Sequence, residues 1–365
     1  MRTPSWFSGI AACLLSVLML APSCMEPSLP QGNGALSIVI PDLPVLTTKA
    51  GNDTEFLYEK VLNQVQVMLF KDGKRIDYLS LDGQAVSFPY TRLYPSLAAG
   101  IYQVYAVANG PDVSSLTQES DLLSHSISLT DCGLTAETGF VMAGSAPVMV
   151  EVGSAARATL DLTRFASRVR VTSIQNRVPV SYADGGVMTV KGIFLVNALG
   201  SWNLGGTGSP SSWLNLGGRV AGKAASMERS DFITTAAQVP AAFRSHLFRQ
   251  GSHTIAVNGQ LTLSDACLYS FPNAMVTDHP GATAAEAGAP ARLVVLARVN
   301  GKDWWYPVTL CKDGQGLERN TSYDVSLVIC ATGSADPNEP VTEAQMQAHW
   351  SPSGWTSGTS YSEPM

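Results

Sequence analysis

The sequence predicts an all-β protein built as two β-sandwiches in tandem, on three observations. Apolar and polar residues alternate with a period of two along most of the 365 residues, while the three-to-four residue spacing of helices is scarce. Gly and Asx residues stand between the alternating runs, where tight turns need positive φ. Once a leading segment is set aside, about 340 residues remain, which on ordinary domain sizes is enough for two cores.

The leading segment, MRTPSWFSGIAACLLSVLMLAPSC, has Arg2 near its start, an apolar run over residues 10–20 and small residues before Cys24. This is the pattern of an export signal. The run is too short to cross a bilayer core of about 30 Å as a mature helix. Cys24, directly after Ala21, Pro22 and Ser23, resembles the cysteine of a bacterial lipobox, so it is expected to become the lipid-bearing N-terminus. Each buried methylene adds about 0.8 kcal/mol, and several acyl chains would hold the chain on the outer membrane. The plainer reading is a cleaved signal with an incidental cysteine.

A short strand follows: Ala35, Leu36, Ser37, Ile38, Val39 and Ile40. Its connection to the rest, PDLPVLTTKAGND, is small and polar around Lys49, the composition of a loop open to proteolysis. The expected layout is a signal over residues 1–24, a segment carrying this strand over 25–49, a first sandwich over 50–178 and a second over 179–365.

The first sandwich opens with KVLNQVQVMLF, where Val61, Val65, Val67 and Leu69 share a face, and Asp72-Gly73 then signals a hairpin. Residues 101–108 form a strand closed by Asn109-Gly110-Pro111. In ARATLDLTR, Ala158, Leu160 and Leu162 point one way. In RFASRVRVTSI, Val169 and Val171 point inward, and Arg168 and Arg170 outward. The stretch 176–186, with Pro179 and adjacent glycines, reads as the link. Beyond it, GVMTVKGIFLVNA restarts the pattern and VPAAFRSHLF suits a short helix with Pro240 in its first turn. ARLVVLARV, the Asn300-Gly301 turn, DWWYPVTLC and TSYDVSLVIC read as a three-stranded meander, in which Tyr323, Val325, Leu327 and Ile329 face inward.

Composition excludes several functions. A net charge of -6 and the lack of a basic run argue against nucleic acid. With Cys13 lost in the signal and Cys24 acylated, Cys132, Cys267, Cys311 and Cys330 remain, and an oxidising compartment permits disulfides among them. Cys311 and Cys330 are expected at opposite ends of a hairpin, too far apart to bond; the other pairings stay open. No CxxC or HxxxH spacing points to a metal, and no cofactor is called for. GGRVAGKA, residues 217–224, has the spacing of a phosphate loop but places Ala224 where a hydroxyl must hold magnesium. There is no GxSxG elbow. The histidines at 125, 246, 253, 279 and 349 are scattered, and Asp278 beside His279 need not meet it. Trp304, Trp305 and Tyr306 could stack on a sugar, although alternation sends at least one of them into the core.

The phrases EKVLNQVQVMLFKDGK, LAAGIYQVYAVANGP, GFVMAGSAPV, LTRFASRVRV, GIFLVNA and RNTSYDVSLVICATGSADPNEPVTE, in this order from about Lys49 to Glu343, resemble the fimbrillin family, the pilus subunits of Bacteroidales. The resemblance implies two transthyretin-like sandwiches, export as a lipoprotein, and polymerisation after a trypsin-like Arg/Lys protease removes the N-terminal strand. It implies other pilin subunits as partners, a surface fimbrium as destination and adhesion as the outcome. The family's cut follows an arginine. Here Lys49 stands at the matching place, so the cut is expected between Lys49 and Ala50; Arg92, a later arginine, lies inside the predicted fold and is a poor substitute. The donor tail is also atypical. After PVTE the chain offers only Met346, Ala348 and Trp350 as alternating apolar residues before a proline. The competing reading is a monomeric surface lipoprotein that binds glycans through exposed aromatics.

Overall fold

The computed structural model describes residues 32–41, 56–83, 85, 87–206, 213–215, 241–275, 290–311, 314–337 and 339–355. Cys24, Lys49 and Ala50 lie outside them, as do the 217–224 glycine loop, Pro240, Asp278 and His279. The first part of the chain forms β1 (Asn33–Ile40), β2 (Gln64–Lys71), β3 (Lys74–Asp82), β4 (Tyr90–Ala98), β5 (Gly100–Ala108), β6 (Ser126–Ser128), β7 (Met142–Val150), β8 (Ala155–Thr159) and β9 (Thr163–Arg164). They make a three-stranded sheet, β4-β1-β8, and a five-stranded sheet, β3-β2-β5-β7-β9. Between β1 and β2 stands a single helical turn, α1 (Leu57–Lys60).

The turns follow the residues that permit them. Asp72 and Gly73 both take positive φ, 52° and 73°, closing the β2–β3 hairpin. Asn109 (φ 53°) ends β5 and clamps the strand's surroundings with its amide. It donates to the carbonyls of Val61 and Phe140 and accepts from the Asn63 amide. Strand β2 is buried on both faces, and its one buried polar residue, Gln66, is fully engaged by Pro111, Val113 and Tyr78.

The second part forms β10 (Ser167–Asn176), β11 (Met188–Val196), β12 (Ala198–Leu199), β13 (Ser201–Asn203), β14 (Trp213–Leu214), β15 (Phe248–Ile255), β16 (Gln260–Thr262), β17 (Cys267–Ser270), β18 (Arg292–Val299), β19 (Lys302–Thr309), β20 (Thr321–Ile329) and β21 (Met346–Gly354). One sheet runs β16-β10-β20-β21 with β17 also on β10; the other runs β15-β11-β18-β19. Val169, Val171, Val325, Leu327 and Ile329 are buried, as alternation predicts, along with Phe194 and Trp305, whose rings lie 6.1 Å apart. A short ladder, β6 with β13, joins the two sets of sheets.

Three expectations need correction. Strand β10 falls inside the 50–178 range assigned to the first sandwich, yet it pairs with β16, β17 and β20 of the second set. Alternation gives a strand its faces but not its partners. Strand β20 does not continue the β18–β19 hairpin into a meander; it crosses to the other sheet, runs parallel to β10 and takes β21 on its far side. With no β19–β20 hairpin, Cys311 and Cys330 do not stand at the opposite ends of one. Finally, residues 241–247 form a 3-10 turn, Ala241–Phe243, and one turn of α-helix, α2 (Arg244–Leu247), rather than one short helix.

All four described cysteines are free thiols, and burial pushes Cys132 and Cys267 up to about 12. Native-state alkylation is expected to label Cys311 and Cys330 and spare the other two. Denaturation without reductant then exposes four labelled thiols, and a pair resistant until reduction would contradict this arrangement.

Candidate functional site

The seat of β1 is built by two strands that touch only through it. Antiparallel pairing with β4 runs from Asn33↔Ala98 to Ile40↔Tyr90, and parallel pairing with β8 from Ala35↔Ala155 to Val39↔Thr159. Loop bonds extend both ladders: the Ala35 amide donates to the Ser154 carbonyl at 2.8 Å, and the Leu160 amide to the Val39 carbonyl at 2.9 Å. Leu36, Ile38 and Ile40 are 0%, 1% and 0% exposed and enter the core, while Ala35 and Ser37 stay half-buried. At Gly34 a Cβ would meet the Glu151 carbonyl oxygen at 2.1 Å, so only glycine passes there. Arg92 sits on β4 opposite Ile38, paired with Asp77 at 3.8 Å and held in a strand, which makes it a poor site for a protease.

The predicted tail residues lie in β21, an end strand paired only with β20. Met346 is buried, and Ala348 and Trp350 are half-buried opposite Leu327 and Val325. A groove of about 490 Å³ separates β21 from Pro307 and Val308 of β19. The strand is thus packed on one side of its length and open along its outer edge.

The junction between the two sets of sheets was not visible in the sequence. Arg168 of β10 lies beside Tyr269 of β17 and Ser322 of β20, a row across three strands on the face away from the second core. That face is outward, as alternation predicts, but it is covered by the first sandwich instead of by water. Arg168 is 5% exposed. Its Nη1 donates to the carboxylate of Glu59 on α1 at 2.7 Å, and its Nε to the Ser322 hydroxyl at 2.9 Å. The Glu59 carboxylate, fully buried, also accepts from the Tyr269 hydroxyl at 2.8 Å and the Phe56 amide at 2.9 Å. A buried carboxylate with three donors is well satisfied; removing one partner of such an ion pair typically costs about 3–5 kcal/mol. With Tyr269 committed to Glu59, Tyr58 donates to the Tyr269 oxygen at 3.1 Å, and burial pushes Tyr58 up to about 12.

Trp355, the residue after β21, closes this junction. Its indole stacks on Tyr269 (5.8 Å, 16°), meets Phe140 edge-on at 5.4 Å, and lies 5.0 and 5.1 Å from the Arg164 and Arg168 guanidinium carbons. Its backbone N–H donates to Asn320 and its carbonyl accepts from Arg164 Nη1. The indole N–H, however, is buried with no hydrogen-bond partner, an expense of roughly 1–3 kcal/mol that solvent would relieve.

Among the described residues, which include four of the five histidines, no group of three His, Cys, Asp or Glu could hold a metal. Trp305 and Tyr306 are fully buried, so they offer no sugar platform; only Trp304 is half-exposed. The sequence did carry one faint signal for the junction: an acid, Glu59, directly after the apolar run Phe56, Leu57, Tyr58.

His246 shares the junction. Its Nε2 donates to the Cys132 carbonyl at 2.8 Å, while Nδ1 is buried without a partner. Burial, with Arg249 nearby, lowers its pKa below the ordinary 6.5, against the opposing pull of the Cys132 bond. The folded state therefore favours the neutral ring, and its contribution is full above the unfolded pKa and declines as pH falls below it. Melting temperature should drop on moving from about pH 7.5 to about pH 5, and His246→Gln should flatten that drop; an equal drop in the variant would contradict the assignment.

No model of a known protein family matches the sequence, and no curated protein does. Solved structures do share its fold. A fimbrilin from Porphyromonas gingivalis W83 superposes with a TM-score of 0.59 at 13% identity, over 89% of this chain and 98% of that one. A "putative cell adhesion protein" from Bacteroides eggerthii DSM 20697 gives 0.58 at 18% identity, over 90% and 97%. The tip fimbrial protein Mfa3 from Porphyromonas gingivalis, with C-terminal truncation, gives 0.51 at 13% identity, over 88% and 100%. At these identities the likeness speaks for the fold, and the chain has the all-β fold of the Bacteroidales fimbrillins.

Proposed function

We propose that the protein is a structural subunit of a cell-surface fimbrium, contributing to adhesion by its place in the filament. It is exported as a lipoprotein on Cys24, cut between Lys49 and Ala50 by a trypsin-like protease, and polymerised by strand exchange. The observation that carries this reading is the position of β1: it is the middle strand of its sheet, and its only covalent link onward passes through the segment containing Lys49. Once that segment is cut, nothing but non-covalent contacts retains residues 33–40.

Departure of β1 would bare a β4 edge, a β8 edge and the cavity filled by Leu36, Ile38 and Ile40. Unpaired edges recruit strands, and a neighbour's extended segment could restore both ladders while its alternate side chains refill the seats. A strand covering about 500 Å² of apolar surface contributes on the order of 10 kcal/mol before association costs. Three large aliphatic seats favour a donor with bulky alternate residues. The chain's own tail, with Met346, Ala348 and Trp350, would place an alanine in one of the three seats. This supports a subunit that accepts a strand well and donates one weakly, as an accessory or terminal position would require.

Low-dose trypsin on the purified precursor should yield a chain starting at Ala50 and species larger than the monomer. Lys49→Ala should prevent both, and deletion of residues 342–365 should reduce homopolymer formation. A cut form that remains monomeric in the presence of donor subunits would contradict the proposal.

A further inference from the structure

Two distant parts of the described chain converge on the same two arginines. Arg164 donates through Nε to the Glu59 carbonyl oxygen at 2.5 Å and through Nη1 to the Trp355 carbonyl oxygen at 3.1 Å. Arg168 holds the Glu59 carboxylate at 2.7 Å and underlies the Trp355 indole. Glu59 belongs to the short segment, beginning at Phe56, that follows the expected cut; Trp355 directly follows the C-terminal strand β21. These residues are 296 positions apart in sequence, yet each contacts both guanidinium groups.

Strand β21 is held by its ladder to β20, but few of its own side chains are buried. It is an end strand, and a groove separates part of it from β19. From Gln347 to Gly354 none of its residues is fully buried. Trp355, by contrast, is 2% exposed. At the far end of the strand the buried side chain is therefore the one just beyond it, and its setting depends on charges balanced by Glu59. If Glu59 withdraws, Arg168 loses the buried carboxylate paired with its Nη1, and the water needed to replace that carboxylate opens the dry pocket around the indole.

We propose that Glu59, Arg164, Arg168 and Trp355 form a clasp that couples the segment after the processing loop to retention of β21, so that loosening residues 56–60 releases the C-terminal strand. The two halves of subunit activation, an emptied seat and a freed tail, would then be linked within one molecule. The proposal rests on the fimbrial reading for its purpose. Its geometry exists in the uncut monomer, where it can be tested alone.

Amide hydrogen exchange on the uncut full-length chain is the test. Trp355→Ala and Glu59→Gln should each accelerate exchange in 346–354 by tenfold or more, with β11 and β18 unchanged as the check on global stability. Trp355→Phe, which keeps a stacked ring, should restore most of the protection. Unchanged exchange of β21 in Glu59→Gln, or acceleration spread equally over β11 and β18, would overturn the clasp. Because the readout needs no polymer, failure of the clasp is distinct from failure of the fimbrial proposal, which trypsin-induced assembly decides.

Discussion

A strand paired on both edges, with its alternate side chains in the core, is among the hardest elements to remove from a sandwich, and β1 is such a strand. It is also the only described strand in the first sandwich that lies before the expected cut. Those two facts pull against each other. The interactions that hold β1 are the ones whose loss leaves the largest unsatisfied surface: two ladders of backbone groups and three empty aliphatic seats. Retention before a cut and avidity after it come from the same contacts. The glycine at position 34 sharpens this point, since the close approach of Glu151 imposes a requirement on whatever strand lies in that register.

The second constraint lies at the junction. Alternation along β10 puts Arg168 on the outer face of its sheet, and in an isolated sandwich that face would be wet. Docking of α1 and Phe140 turns it into an interior, which then has to satisfy a carboxylate, two guanidinium groups and two phenols. A buried polar network of this kind specifies one arrangement of its parts more strongly than an apolar contact of equal area. Here it fixes how the segment after the processing loop and the C-terminal strand sit against the two sheets.

Much of the fold was legible in the sequence because it depends on local rules. Asp72-Gly73 and Asn300-Gly301 turn where positive φ is needed, and Tyr323, Val325, Leu327 and Ile329 alternate into the core. What could not be read was partnership. The pattern of β20 is equally consistent with pairing to β19 or to β10, and only the folded chain chooses the latter. The same limit hid the junction: Glu59, Arg168, Tyr269 and Trp355 are scattered along the sequence, and nothing local to any of them predicts the others. Residues 35–40 carried their alternation and their place before a small, polar connection, so the strand was legible, but its partners β4 and β8 were not.

The account stands or falls on who occupies the space between β4 and β8 after processing. Electron cryomicroscopy of the assembled, protease-treated form reads this directly. The account predicts that residues 33–40 are missing and that the seat holds a strand continuous with a neighbouring subunit, its alternate side chains in the positions of Leu36, Ile38 and Ile40. Density for the chain's own residues 33–40 in that seat, within an assembled particle, would contradict it.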